Sequence, residues 1–542
     1  LLSRGIKAVV IEVDESTVRN MALEDEYAHV PAIAGRGRDR QLLELAGLHH
    51  PNCQGVIATT NVEQANLTIA ITVKLLRPDI AVLARSRFSR RVRRINRDFY
   101  IVCGFGYTGQ MIVKGLLKRG ISAAVLEREQ DIIHSMALDE DLAHLPALAG
   151  DVTDRRLLDM AGIDPKVSNC IGILAITNDD HANLTIAITG KLLRPELPVM
   201  ARAETRRVED NMASFGTDVT VDPYTIFADR LHMALISPIK YLVHDWLISV
   251  PGTRLRTELN PPIGRWLLAG VGRFGSRMAR KLEEAEIPFT VIDVHPDRVA
   301  QRPGSVLGRG TEARTLREAG VESAVGIIAG TGDDIDNLSI VMTARELNPD
   351  LFVVARQENP QNDELFDASG ADLVARRSLI VARRILGVAT TPLLPVFLDH
   401  MFGKEERFAK QVLHRLEAVL DGRSPSLWIL ELAGEWANSI RAAKRAQTRI
   451  RLKHLTDNSR TSDSECLPCV CLLLERGSLR KFLPGPEEEL QEGDRLLFAG
   501  RGVARHEMLF ALREPTALVS QATGRPEPRG IIMRWFMRRR MS

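Results

Sequence analysis

Aromatic residues make up only 5% of this 542-residue chain, so base-stacking surfaces for single-stranded nucleic acid are poorly supplied. Neither charge sign dominates. The formal net charge is +3, which argues for no strong polyelectrolyte partner. No apolar run reaches the roughly 18–20 residues that a membrane-crossing helix needs. The nearest, residues 236–248, is interrupted by Pro238, Lys240, His244 and Asp245. No signal peptide, HExxH, GxSxG or Walker lysine is visible. Cysteines number six. Cys53, Cys103 and Cys170 lie in apolar segments and read as buried thiols. Cys466-x-x-Cys469-x-Cys471 has no second cluster to complete a zinc site. It runs into a strand-like segment whose alternate cysteines are expected to face opposite sides, so it reads as half-buried thiols. That usage fits a reducing compartment, the cytoplasm.

What is present is a glycine signature that occurs twice. Gly104-Phe105-Gly106-Tyr107-Thr108-Gly109 follows the apolar run Phe99–Cys103, and Glu127 lies 23 residues past Gly104. Gly270-Val-Gly272-Arg273-Phe274-Gly275 follows Trp266–Ala269, with Asp293 again 23 residues past its first glycine. Strand, glycine turn, helix, second strand and acid together form a dinucleotide-binding signature. The first glycine permits the tight turn, the second lets the backbone approach a pyrophosphate, and the third lets helix and strand pack closely. The helix then points its N-terminal N–H groups at the phosphates. The acid can accept from a ribose 2′-OH and would repel a 2′-phosphate, which favours NAD or an adenine nucleotide over NADP.

The chain is also repetitive. Residues 1–86 align with 116–203: Met21-Ala-Leu matches Met136-Ala-Leu, and Asn66-Leu-Thr-Ile-Ala-Ile-Thr72 is identical to residues 183–189. A third, more diverged copy runs from about Arg265 to Val388. Copy one opens where copy two already nears the end of its glycine-loop helix. It has Glu12 at the ribose position but no glycine loop, so the chain is expected to be a fragment with upstream sequence. By itself copy one is not a complete nucleotide site.

Short apolar runs alternate with amphipathic helices, which implies doubly wound parallel sheets. In copy two the pattern predicts strands at 99–103, 123–126, 147–149, 172–176, 198–201 and 218–221. Helices are predicted at 109–119, 154–161 and 180–193. Ligands of such sheets sit beyond the carboxyl ends of the strands. The Gly104 loop, Glu127, Asp151, Thr177 and Arg202 each follow a strand end and should therefore surround one crevice.

With these motifs in place, the chain resembles the RCK, or Trk/Ktr regulatory, family. The resemblance rests on the glycine signature, on Ala149-Gly-Asp151 and Ala161-Gly-Ile163, on Ala175–Asp179 with Asn183-Leu, and on Ala201-Arg-Ala203. Leu490–Gly500, with its Gly-Asp-x-Leu turn, is similar to that family's C-terminal module. The resemblance implies α/β tandem Rossmann-like doubly wound sheets followed by a small α+β module. It divides the chain into an incomplete repeat (1–97), two complete lobes with crossover helices (98–260 and 261–404), the C-terminal module (405–515) and a basic tail (516–542). It implies that the amides of Gly104, Gly106 and Gly109 hold phosphates, with Phe105, Tyr107 and Thr108 as further cofactor-binding positions. Glu127 would meet the ribose, with Arg128 a further cofactor-binding position, Asp151 the adenosine end, and Thr177, Asn178 and Arg202 the crevice wall. Gly270, Gly272, Arg273, Phe274, Gly275 and Asp293 would repeat this in copy three. There Arg309 replaces Asp151 and could favour a phosphate. Copy one has Arg36 at that position.

The expected function is nucleotide sensing by a cytoplasmic regulatory subunit or domain of a potassium channel or transporter, at the inner face of the membrane. The ligand is NAD(H) or ATP, ADP or AMP. The partner is a membrane subunit or an upstream part of the same chain. Homo-oligomers are expected, with pairing through residues 224–236 and 379–386. No catalysis is expected, because no lobe carries an acid/base residue for a nicotinamide. The alternatives are an NAD-dependent oxidoreductase, or an adaptor using its arginine clusters. Seven arginines crowd into residues 85–97, and the tail at 525–540 mixes arginine with Trp535 and Phe536. Such segments suit an anionic lipid surface. Nucleic acid is disfavoured, because no reading module accompanies them.

Overall fold

Phe99–Cys103 has no polar residue, and a strand without a polar side must be covered on both faces. All five residues are buried. In the computed structural model this strand lies in the middle of a six-stranded sheet. Across the sheet the order is Val219–Val221, Val199–Arg202, Cys170–Ala175, Phe99–Cys103, Ser122–Glu127, Ala147–Ala149. Phe99–Cys103 pairs in parallel with Ser122–Glu127 on one side and Cys170–Ala175 on the other. The chain thus leaves this strand in one direction and later returns to its opposite edge. The turns at its carboxyl end and at that of Cys170–Ala175 diverge and open a crevice. The structure describes residues 2, 5–25, 27–60, 63–84, 88–167, 169–255, 259–300, 302, 304–457, 466–514 and 517–523. They form two compact units, residues 1–220 and 221–542.

The second unit repeats the arrangement. Its sheet order is Val306–Leu307, Phe289–Asp293, Trp266–Ala269, Gly326–Ala329, Phe352–Gln357, Leu373–Arg376, with every pairing parallel. Each sheet is lined by aliphatic side chains, with Ile101, Ala124 and Ile173 in one core and Leu267, Ile327 and Val353 in another. The sequence-predicted elements of copy two all form, with ends shifted by at most two residues. The first helix begins at Tyr107, directly after Gly106.

Copy one forms two separate parallel ladders, Val10–Glu12 with Ala32–Ala34 and Gly55–Ala58 with Ala81–Ala84. In copy two the equivalent pairs are joined through Phe99–Cys103. Among the described residues of copy one no strand joins them. Within the arginine-rich stretch, Phe88–Val92 is a short helix. Phe88 and Val92 insert into the core of copy two, each 1% exposed. This part of the stretch is an anchored connection and not a free basic arm. The tail at 525–540 lies outside the described residues.

After the first sheet come Pro223–Ile236 and Pro238–Ile248, and after the second Arg377–Thr390 and Leu393–Phe402. Asp222 caps the first of these helices at Tyr224 N–H, and prolines open both helices of the first pair, where a missing N–H costs nothing. Tyr224, Phe227, Leu231 and Leu235 pack with Trp266, Phe274, Met278 and Ile380. The two crossover regions therefore pack together within the second unit. Among the described residues no single helix is long and apolar enough to cross a membrane. One pair, Arg377–Thr390 with Leu393–Phe402, passes jointly on composition, but it is bent by 112°, and Ile380, Leu393, Phe397 and Met401 are buried in apolar clusters of the second unit.

The C-terminal module is a four-stranded antiparallel sheet in the order Ser426–Glu431, Arg495–Gly500, Cys469–Arg476, Leu479–Phe482. Asp494, fully buried in the Gly-Asp turn, receives a forked pair of hydrogen bonds from Arg476 at 2.7 and 2.8 Å. The cysteine expectation needs correcting. Cys469 and Cys471 both face the same apolar cluster, because residues two apart in a strand share a face. Among the described residues no cluster could hold a metal ion.

Candidate functional site

In the copy-two crevice each glycine answers a different constraint. Gly104 has φ +102°, and a Cβ there would stand 3.0 Å from Thr177 N. A Cβ on Gly109 would strike the Gly104 carbonyl. Gly106 has φ −65°, and a Cβ there would meet nothing within 4 Å. The fold itself does not require glycine at 106. The space above it is what a ligand approaching the backbone would fill. The helix Tyr107–Leu117 starts at this point with no side-chain cap on its first N–H groups.

Glu127, at the end of its strand, is 9% exposed. One carboxylate oxygen accepts from Phe105 N–H at 2.5 Å, and the other from Arg128 N–H at 2.6 Å and Glu129 N–H at 3.2 Å. The acid thus braces the glycine loop from the end of its strand. Asp151 accepts from the Thr153 hydroxyl and N–H. Those bonds, with a smaller contribution from Arg128, hold its carboxyl below the usual value against a modest cost of burial. Across the switch point, Asn183 is fully buried. It accepts from Thr177 N–H and Oγ1 and donates to the Thr177 and Arg202 carbonyls. Arg202, 2% exposed, donates to Asn178 Oδ1 at 2.9 Å and pairs with Glu204.

Copy three builds the same framework around a crevice of about 620 Å³. Gly270 has φ +90° and abuts Thr331 N, Gly275 abuts the Gly270 carbonyl, and a Cβ on Gly272 would again meet nothing. Asp293 accepts from Val271 N–H at 2.8 Å and His295 N–H at 2.9 Å, with Arg298 Nη1 at 3.4 Å. Burial pushes the Asp293 carboxyl up, but these donors more than offset it and leave it below its usual value. Asn337 repeats the work of Asn183 on Thr331 and the Arg356 carbonyl. Arg273, Arg309 and Arg356 also line the crevice, as do Asp336 and Glu358.

The structure therefore gathers the Gly104 loop, Glu127, Arg128, Asp151, Thr177, Asn178 and Arg202 at the carboxyl end of one sheet. Gly270, Gly272, Arg273 and Asp293 gather at the other. Some side chains within the signatures turn away. Phe105 is 1% exposed. The ring of Phe274 packs into the core against Tyr224 and Phe227, with centroids 5.9 and 5.8 Å apart. Thr108 is also buried, whereas Tyr107 is 47% exposed. These positions can offer a ligand only backbone or, for Tyr107, an outward ring. Asn183, Asn337, His295 and Arg298 were not singled out as site residues from sequence. The asparagines stood in the repeat motif. The His295–Arg298 pair emerges when the segments after Glu127 and Asp293 are laid side by side.

Comparison with known proteins fits this geometry. The TrkA-N domain model matches residues 1–98, 100–223 and 266–376, more than half of the chain. Potassium channel protein 1 of Methanocaldococcus jannaschii is 26% identical over 147 residues, 26% of this chain and 44% of that protein. The Trk system potassium uptake protein TrkA of Streptomyces coelicolor is 33% identical over 114 residues, 20% of this chain and 51% of that protein. The solved structure "GsuK channel bound to NAD" is 17% identical, covers 87% of this chain and 91% of that one, and has a TM-score of 0.45. The chain spans less than half the length of the first curated relatives it matches. With three matched segments and two complete Rossmann-like crevices, the chain belongs to the TrkA-N domain family.

Proposed function

We propose that this chain is a nucleotide-sensing regulatory element of a potassium channel or transporter, and that it binds its ligand without turning it over. The observation that carries the reading is the unfilled space over Gly106 and Gly272, each facing a helix N-terminus and an acid braced on the loop. That cradle suits a pyrophosphate with its ribose hydroxyls on Glu127 or Asp293. The ligand is NAD(H) or an adenine nucleotide. The names of the relatives, a potassium channel and a Trk uptake component, supply the system to be regulated.

Regulation would follow from differential binding. A nucleotide held more tightly by one arrangement of the lobes shifts the population toward it, and an oligomer of such chains at the inner face of a membrane passes that preference to a pore. Calorimetric titration with NADH, NADPH and ATP, with absorbance monitored for NADH consumption, tests the reading. Saturable binding with NADH left intact is expected. Absence of saturable binding, or steady oxidation of NADH with a carbonyl substrate, overturns it.

A further inference from the structure

The two complete crevices share one framework but not one charge pattern. In copy two, Glu129, Ile132 and Asp151 follow the ribose acid and the neighbouring strand. At the matching positions copy three has His295, Arg298 and Arg309. Arg128, replaced by Val294, and Ala182, replaced by the crevice-lining Asp336, run the other way. Strand register secures the match. Glu127 pairs with Ala149 and Asp293 with Leu307, so Asp151 and Arg309 each stand two residues beyond the partner of the acid. Two carboxylates, Glu129 and Asp151, give way to His295 and Arg309, and the apolar Ile132 gives way to a second guanidinium, Arg298, at the ribose edge of one crevice.

The acid itself is also differently placed. Asp293 has a guanidinium 3.4 Å from one carboxylate oxygen, which already accepts from Val271 N–H, and its other oxygen takes His295 N–H. Glu127 takes three backbone N–H groups and has no such cation on it among the described residues. Arg309 lines the crevice and makes no ion pair among the described residues. Repulsion between the acid and a phosphate on the ribose, the argument for NAD in copy two, is therefore answered in copy three by Arg298 and Arg309.

Resting on the nucleotide reading above, we propose that the copy-three crevice selects an adenine dinucleotide carrying an additional phosphate on its ribose, whereas copy two selects the unphosphorylated form. Arg298 and Arg309 would hold that phosphate by charge-assisted hydrogen bonds. One chain would then report two nucleotide pools through two separate sites.

NADPH and NADH differ only by this phosphate and are the probes. Gly106→Val silences copy two, and a Cβ at that position meets no atom of the fold within 4 Å, so copy three can be titrated alone. NADPH is expected to bind it about tenfold more tightly than NADH, with the preference shrinking as salt rises. In the same background, Arg298→Ile with Arg309→Asp installs the copy-two residues and should abolish the preference while NADH still binds, which also reports folding. NADH binding equal to or tighter than NADPH, or a preference that survives the double substitution, overturns the proposal alone. ATP binding with the same arginine dependence in place of NADPH would overturn the ribose assignment. No binding of any nucleotide to the Gly106→Val protein overturns both the proposal and the nucleotide reading of copy three.

Discussion

Glu127 is legible in the sequence as an acid at a strand end, expected to meet a ribose, and its hydrogen bonds show that it braces the Gly104 loop. Glu127→Ala should therefore weaken nucleotide binding by about 1–2 kcal/mol, from a lost charge-assisted pair and a loosened loop. Titration of wild type and variant with NADH reads the difference. Asp293 makes a prediction about pH. Its folded value is held below the usual one, so the fold favours the ionised form. That contribution is complete above the unfolded value of about 3.9 and is lost as pH falls through the lower folded value. The gap in thermal midpoint between wild type and Asp293→Asn should be widest near neutrality and close below about pH 4. A gap independent of pH would contradict this. Asn183 shows what residue-level reading missed. Its amide is a staple joining Thr177 to Arg202, and nothing in local sequence says that a polar side chain on a helix will be fully buried. Asn183→Ala leaves several buried backbone groups unpaired, at a cost of about 1–3 kcal/mol. Faster hydrogen exchange at Thr177 in the variant is the expected signature.

At the level of elements, strands and glycine-loop helices were readable because their periods are unambiguous. Phe99–Cys103 is wholly apolar, and Asp180–Leu193 carries a cap at Asp179. The direction of side chains within a signature was less readable. Phe274 lies inside the glycine motif, yet its ring serves the core because Pro223–Ile236 covers it. That helix follows the first sheet in sequence and packs on the elements of copy three. Phe227 is 5% and Leu231 2% exposed in this packing, in a cluster that contains the fully buried Trp266. Phe227→Ala should destabilise the second unit by about 3–5 kcal/mol through lost burial and a residual cavity. Urea unfolding followed by tryptophan fluorescence should show an earlier transition. An unchanged midpoint would mean that this helix contributes little to the core it covers.

The described residues combine one open repeat with two complete ones, and the number of ligands these residues can hold follows from that difference. Copy one retains Glu12, which accepts from Val13 and Asp14 N–H much as Glu127 accepts from its own neighbours. The described residues of copy one offer it no glycine loop to brace and no central strand between its two ladders. An acid without a phosphate cradle cannot hold a dinucleotide with useful affinity, because most of the directed donors lie at the loop and the helix N-terminus. Binding by residues 1–542 should therefore saturate at no more than two nucleotides, one at Gly106 and one at Gly272. Gly106→Val should remove one equivalent without unfolding the protein, since its φ suits any residue and its side chain would point into open space. Calorimetry on both proteins, with circular dichroism to establish folding, decides the matter. Three equivalents per chain would require a site in copy one that this geometry lacks, and a folded variant with undiminished stoichiometry would move the ligand away from the Gly104 loop altogether.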